Sequence, residues 1–156
     1  MQDEAQKKLL HHYLKANLPG VLLFIILYLT DHYILATPLH FNISQAVVAL
    51  LILQGFFAIG APLGYRIWFI RQVQLEQYLQ KNRFLRFEKK FISISALTIY
   101  LLIIGYLAGP SRIPLSLMVL FGIYVLYFYF PSQKRMASEK RIFRVSDQEP
   151  DKTENF

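Results

Sequence analysis

Two stretches of this chain, FISISALTIYLLIIGYLA at 91–108 and IPLSLMVLFGIYVLYFYF at 113–130, carry no charged side chain. A helix needs about 20 apolar residues to cross a hydrocarbon core about 30 Å thick. Two further stretches, 18–36 and 45–65, have the same character and share a single formal charge, Asp31. Where water is absent the backbone must bond to itself, and a helix alone does so within one segment. The expectation is an all-α integral membrane protein with four transmembrane helices in two antiparallel hairpins. The many β-branched and aromatic residues do not alter it, because solvation outweighs propensity here. Transmembrane strands would alternate apolar and polar residues, and nothing in these blocks alternates.

The direction of threading follows from Lys and Arg, which collect on the cytoplasmic side of membrane proteins. Of 17 cations, 16 lie in the amino-terminal segment, in the 66–90 segment or in the tail after Pro131; only Arg112, in AGPSRIP, lies elsewhere. Both termini and the 66–90 hairpin are therefore expected at the cytoplasmic face of a cytoplasmic (inner) membrane. The net charge of +7 borders apolar blocks and does not cover a soluble face. Bilayer lipids, anionic ones included, are the expected partners, together with another membrane protein or a second copy; nucleic acid is not. Aromatic residues gather at block ends, as amphipathic rings do at headgroup level. A competing reading takes the first block as a signal peptide cleaved after Ala36, but Ile34 fits the small-residue rule badly.

Outside the blocks, DEAQKKLLHHYLKAN has helical spacing of Leu9, Leu10, Tyr13 and Leu14 between lysines. It reads as a short interfacial amphipathic helix, set off from the first span by Pro19 and Gly20. The second span is expected to run past Trp68 into a basic helical hairpin with its tip near Lys81, Asn82 capping the next helix. After Pro131, SQKRMASEKRIF reads as another amphipathic helix with Ser132 as its cap. These pieces make one domain over 1–145, and the acidic tail 146–156 has too little to bury and is expected to be disordered. An internal echo runs through the chain. LATPLHFNIS and LAGPSRIPLS share six residue types at equal spacing, and Pro62 precedes Arg66 by the same four positions as Pro131 precedes Arg135. Duplication of a hairpin would explain it, as would the ordinary preference of outer turns for Pro and Ser.

Asp31 lies about 20 Å above the inner boundary, in the outer third of the hydrocarbon, at 1.5 Å per residue. A polar group there needs a partner, and Arg112 is the expected one, with His32 and His40 close by. Asp31 with His32 would suit a proton- or ion-handling site; alternatively the first span ends near Thr30 and these residues lie at the interface. Gln54, Thr98 and Tyr100 fall near mid-membrane, where interhelical hydrogen bonding or a substrate path accounts for them. GAPLG and GYLAG permit close helix approach, and Pro62 should kink the first. Arg66, Arg71, Arg83, Arg86, Lys89, Lys90, Lys134 and Arg135 are set to meet anionic lipid or an acidic partner, or only to fix topology.

The absence of cysteine excludes disulfides, thiolate metal sites and cysteine nucleophiles. His11 and His12 point different ways on a helix, so no metal, haem or other cofactor is expected. No nucleophile elbow, phosphate loop or carboxylate pair is present. The expected function is non-catalytic, an accessory, assembly or interaction subunit. The rivals are a small oligomeric transporter or channel using Asp31 with Gln54 and Tyr100, and a lipid-modifying enzyme working near His32 and His40.

Overall fold

A computed structural model describes residues 4–33, 44–74 and 79–146. The described residues are all-helical apart from one minimal strand pair and the segments that join the elements. In order, α1 spans Glu4–Tyr33, α2 Ser44–Gly55 and α3 Ala61–Val73, with a π turn at Phe56–Gly60 joining the last two into one rod. β1 (Leu79–Gln80), α4 (Lys81–Leu107), α5 (Arg112–Phe128), α6 (Gln133–Ile142) and β2 (Val145–Ser146) follow. Among the described residues three helices are long and apolar enough to cross a membrane: Glu4–Tyr33, Ala46–Val73 and Lys81–Leu107. The fourth block is different. α5 has 17 residues, about 25 Å of helix, and α6 turns away from it by 73° after Pro131.

α4 is the centre of the bundle. Its apolar window is 56% buried, against 17% and 22% for the other two long helices. α1, α2, the π turn, α3 and α5 all pack around it, and α1 packs on it most extensively. The contacts His12 with Ser93 and Ala16 with Tyr100 show that α1 and α4 run in the same direction. The two hairpins expected from the order of the blocks therefore do not pack as separate units; α4 gathers both.

Three expectations about helix boundaries change. The amino-terminal helix and the first span are one helix of 30 residues that passes straight through Pro19. Leu9, Tyr13, Asn17 and Gly20 are its buried side, a single stripe that continues across the proline against α4. Packing along that stripe outweighs the one backbone bond that Pro19 removes. α4 begins at Lys81, with Gln80 in extended conformation at the cap position and no side-chain cap, so Asn82 lies inside the helix. The 66–90 segment does not project freely either. β1 pairs in parallel with β2, Leu79 opposite Val145, so the tip is tied to the end of α6. Arg144, at φ 48° in the left-handed region, makes the turn between them. The Ser132 cap is found as expected, accepting from the Arg135 N–H at 3.3 Å.

Two of the aromatic residues at block ends, Phe91 and Tyr129, are interior and join a larger aromatic core. Phe69, Phe84, Phe87, Phe91, Tyr129 and Phe143 are buried together at the basic end. Phe69 and Phe87 stack at 4.1 Å, and Phe143 closes edge-on over Phe69 at 5.5 Å. In the opposite direction the outer faces of α1, α2–α3 and α5 leave large apolar side chains uncovered, among them Ile26, Ile52, Leu120 and Ile123. An apolar surface so extensive suits lipid and not water. Residues 35–43 of the sequence echo, His40 and the Ala36 cleavage site among them, and the acidic tail beyond Ser146 lie outside the described residues.

Gly20 lets α1 approach α4, since a Cβ there would sit 2.8 Å from Ile99 Cγ2. Gly20→Ala should cost about 1–3 kcal/mol through overpacking against a β-branched neighbour. Gly64, with nothing within 4 Å of its Cβ position, should accept Ala without loss. Unfolding in mixed detergent micelles measures both.

Candidate functional site

Pro62 has no N–H, so the carbonyl four residues back, that of Ala58, has no α-helical donor. The helix widens there into the π turn, where the Ala61 N–H bonds Phe56 O. The Tyr129 hydroxyl, arriving from the end of α5, donates to Ala58 O at 2.8 Å. Two further tyrosine hydroxyls reach backbone carbonyls of other helices. Tyr13 donates to Leu126 O at 2.6 Å, in the last turn of α5 where helical donors run out. Tyr100 donates to Ala16 O at 3.0 Å, the carbonyl next to that of Lys15, whose α-helical donor Pro19 removes.

Gln54 is fully buried at the junction of α2, α4 and α5. Its Nε2 donates to Thr98 O at 3.2 Å and to Met118 O at 2.9 Å, so one amide joins three helices. Both acceptors are carbonyls, which fixes the orientation of the amide group. Gln54 Oε1 and Thr98 Oγ1 remain buried without a partner, as does Asn17 Oδ1. The interhelical bonding expected of Gln54 and Tyr100 is present, but Thr98 takes part through its backbone.

At the far end of the bundle Asp31 is held by α4. The Tyr106 hydroxyl donates to Asp31 Oδ2 at 2.6 Å. Tyr28 packs against Tyr106 at 6.1 Å and stacks on His32 at 6.0 Å. Tyrosine thus fills the role the sequence assigned to Arg112, which stands exposed at the first position of α5, its carbonyl accepting from Ser116 Oγ at 2.9 Å. Asp31, Gln54 and Tyr100 bond to three different parts of the bundle, and each bond fastens one helix to another.

The basic end holds a group that the sequence did not announce. Glu88 is 1% exposed. It lies on the α4 stripe formed by Phe84, Phe87 and Phe91, and that position, in the run RFEKK, was the available signal. Arg135 of α6 reaches it with Nη2 at 2.8 Å, donates from Nη1 to Tyr129 O at 2.6 Å and lies over the Phe91 ring at 5.5 Å. Arg66 of α3 pairs with Glu139 of α6 at 3.1 Å. Burial pushes the Glu88 carboxyl up to about 7; Arg135 and Arg66 oppose that, and Glu139 adds to it. The two arginines that follow prolines at equal spacing, Arg66 and Arg135, are thus both turned onto carboxylates of the same chain. Arg71, Arg86, Lys89, Lys90 and Lys134 are exposed, and Arg83 is half-buried.

A shallow cavity of about 230 Å³ opens between the end of α3 and the end of α6, lined by Ile70, Val73 and Phe143 with Arg144 at its edge. Among the described residues no three His, Asp or Glu side chains converge as metal ligands do. Comparison with known proteins returns no matching family model, no matching curated protein and no matching solved structure.

Tyr129→Phe leaves the Ala58 carbonyl unsatisfied and should cost about 1–3 kcal/mol. The loss should shrink in a Pro62→Ala background, where residue 62 regains an N–H; a double-mutant cycle in detergent checks this. For Glu88 the unfolded carboxyl releases its proton near its ordinary value of 4.5, and the folded one keeps it to about 7. Between those values the folded state binds more protons, so stability falls as pH rises across the window. Relative to wild type, Glu88→Gln should gain from pH 4.5 to about 7 and run parallel above it, read from melting temperatures.

Proposed function

We propose that the chain is a non-catalytic accessory or assembly subunit of a cytoplasmic membrane, embedded by four spans with both termini and the 66–90 segment at the cytoplasmic face. In this reading α5 is the fourth span and α6 lies along the inner surface. The observation that carries the proposal is how the polar groups in the apolar region are used. Gln54, Tyr100, Tyr129 and Asp31 are each bonded from one helix to another, which makes a stable scaffold. The exposed cations Arg71, Arg86, Lys89, Lys90 and Lys134 remain at one end for an acidic partner or anionic lipid.

One observation favours a second reading, a small oligomeric transporter. Gln54 Oε1 and Thr98 Oγ1 are buried acceptors without a donor, a state that a passing polar ligand would relieve. The accessory reading accounts for more of the molecule, because the groups around these two atoms are spent on helix contacts.

The chain has no cysteine, so single cysteines report topology without background. In intact cells Ser111→Cys should react with a membrane-impermeant maleimide, and Ser138→Cys should react only after lysis. The reverse pattern would overturn the orientation. For the function, mild-detergent purification should retain a stoichiometric membrane partner that is lost when Arg71, Arg86, Lys89 and Lys90 are changed to Gln. Solute flux through reconstituted protein alone, abolished by Gln54→Leu, would instead establish the transporter.

A further inference from the structure

α1 and α4 run in parallel and meet at a polar contact close to the start of the charge-free 91–108 block. His12 Nε2 and Ser93 Oγ are 3.0 Å apart across the seam. On α1, Lys8, His12 and Lys15 stand at spacings of four and three residues, which places them on one face. On α4, Arg86, Lys90 and Ser93 repeat the same spacing, with Lys89 beside them. The side chains of Lys8, Lys15, Arg86, Lys89, Lys90 and Ser93 are all exposed. Towards the far end of the bundle the two helices continue with exposed Leu18 on α1 and exposed Leu97 on α4. Cations therefore surround a hydroxyl and an imidazole, and apolar surface begins directly beyond them.

We propose that this α1–α4 seam is a binding site for an anionic phospholipid, its phosphate held by Lys8, Lys15, Lys90 and the His12–Ser93 pair. An acyl chain then lies along Leu97 and Leu18. The seam suits a lipid in particular because a charged and an apolar recognition element are contiguous on it, at the level where headgroup gives way to hydrocarbon. Arg66 and Arg135 belong to a different structure: they are turned inward onto Glu139 and Glu88, which leaves the seam as the place where unburied cations from two helices coincide with a second polar anchor. The site rests on the membrane reading above and adds to it a ligand class and an address.

Detergent-purified protein, incubated with phosphatidylglycerol or with phosphatidylcholine, is read by native mass spectrometry. Wild type should retain phosphatidylglycerol in preference. The triple variant Lys8→Gln/Lys15→Gln/Lys90→Gln should lose about tenfold or more in retention, since three cations near the headgroup level are removed together. A control triple, Arg112→Gln/Arg141→Gln/Arg144→Gln, removes as many exposed charges from elsewhere and should change retention by less than about twofold. Ser93→Ala, a small change at an exposed position, should weaken retention while leaving the circular dichroism spectrum intact. Equal losses in the two triples, or none in the first, would overturn the site. Full displacement of lipid by soluble glycerol 1-phosphate would also overturn it, because the acyl contact would then count for nothing. The lipid measurement is indifferent to orientation, so a failed cysteine-labelling pattern and a failed lipid site are separate results.

Discussion

A polar group enclosed among apolar side chains must find its partner within the protein, and the cross-bracing of the bundle answers that constraint. Prolines at 19 and 62 each delete a backbone donor inside a helix whose outer faces are uncovered and apolar. Neither breaks its helix. Tyr129, at the end of α5, serves the Ala58 carbonyl that Pro62 vacates, while Tyr100 of α4 bonds Ala16 O, one residue after the Lys15 carbonyl that Pro19 vacates. A gap in one helix's own bonding thus becomes a contact with another. A bond of that kind is directional, whereas apolar packing between helices in lipid specifies little about rotation or register. Pro62, by creating that vacancy, helps determine where the end of α5 must sit relative to the π turn and α3.

That exchange explains which parts of the molecule could be read in advance. The apolar blocks were legible because their length and lack of charge admit one solution per segment. The role of Gln54 was legible in kind, since a lone amide amid leucines has little to do but bond across helices. Its partners were not, because two of them are backbone carbonyls of residues 44 and 64 positions away. Asp31 illustrates the limit more sharply. Charge counting selected Arg112, but a phenol on the adjacent helix satisfies a carboxylate as well, and tyrosine leaves no mark in a tally of charges. The break expected at Pro19 failed for a related reason. Local propensity sees the missing N–H and does not see the stripe of Leu9, Tyr13, Asn17 and Gly20 that keeps α1 against α4 on both sides of it.

The aromatic residues at the block ends carried two meanings that composition cannot separate. Trp68 is exposed. Phe69, its neighbour, is buried and stacked on Phe87. The difference is the helical phase, about 100° per residue, which decides whether a ring looks outward or onto α4. Where α3, α4 and α6 meet, the phase places five phenylalanines and Tyr129 inward, so the basic end has a core of its own.

Glu88 sits inside that core, and its position makes α6 more than an appendage. Pro131 ends the fourth block and permits the 73° change of direction, but a turn alone would leave α6 free to lie anywhere on the surface. Arg135 removes that freedom by bonding Glu88 on α4 and the Tyr129 carbonyl at the end of α5, while Glu139, one turn on, takes Arg66 from α3. Buried ion pairs of this kind contribute little net stability once desolvation is counted, and their directionality is what distinguishes them from apolar packing. Helix α6 therefore has one docking geometry, and β2 is delivered to β1 as its consequence. The tip of the 66–90 segment is thus held in place through a chain of contacts that starts at one carboxylate on the apolar face of α4.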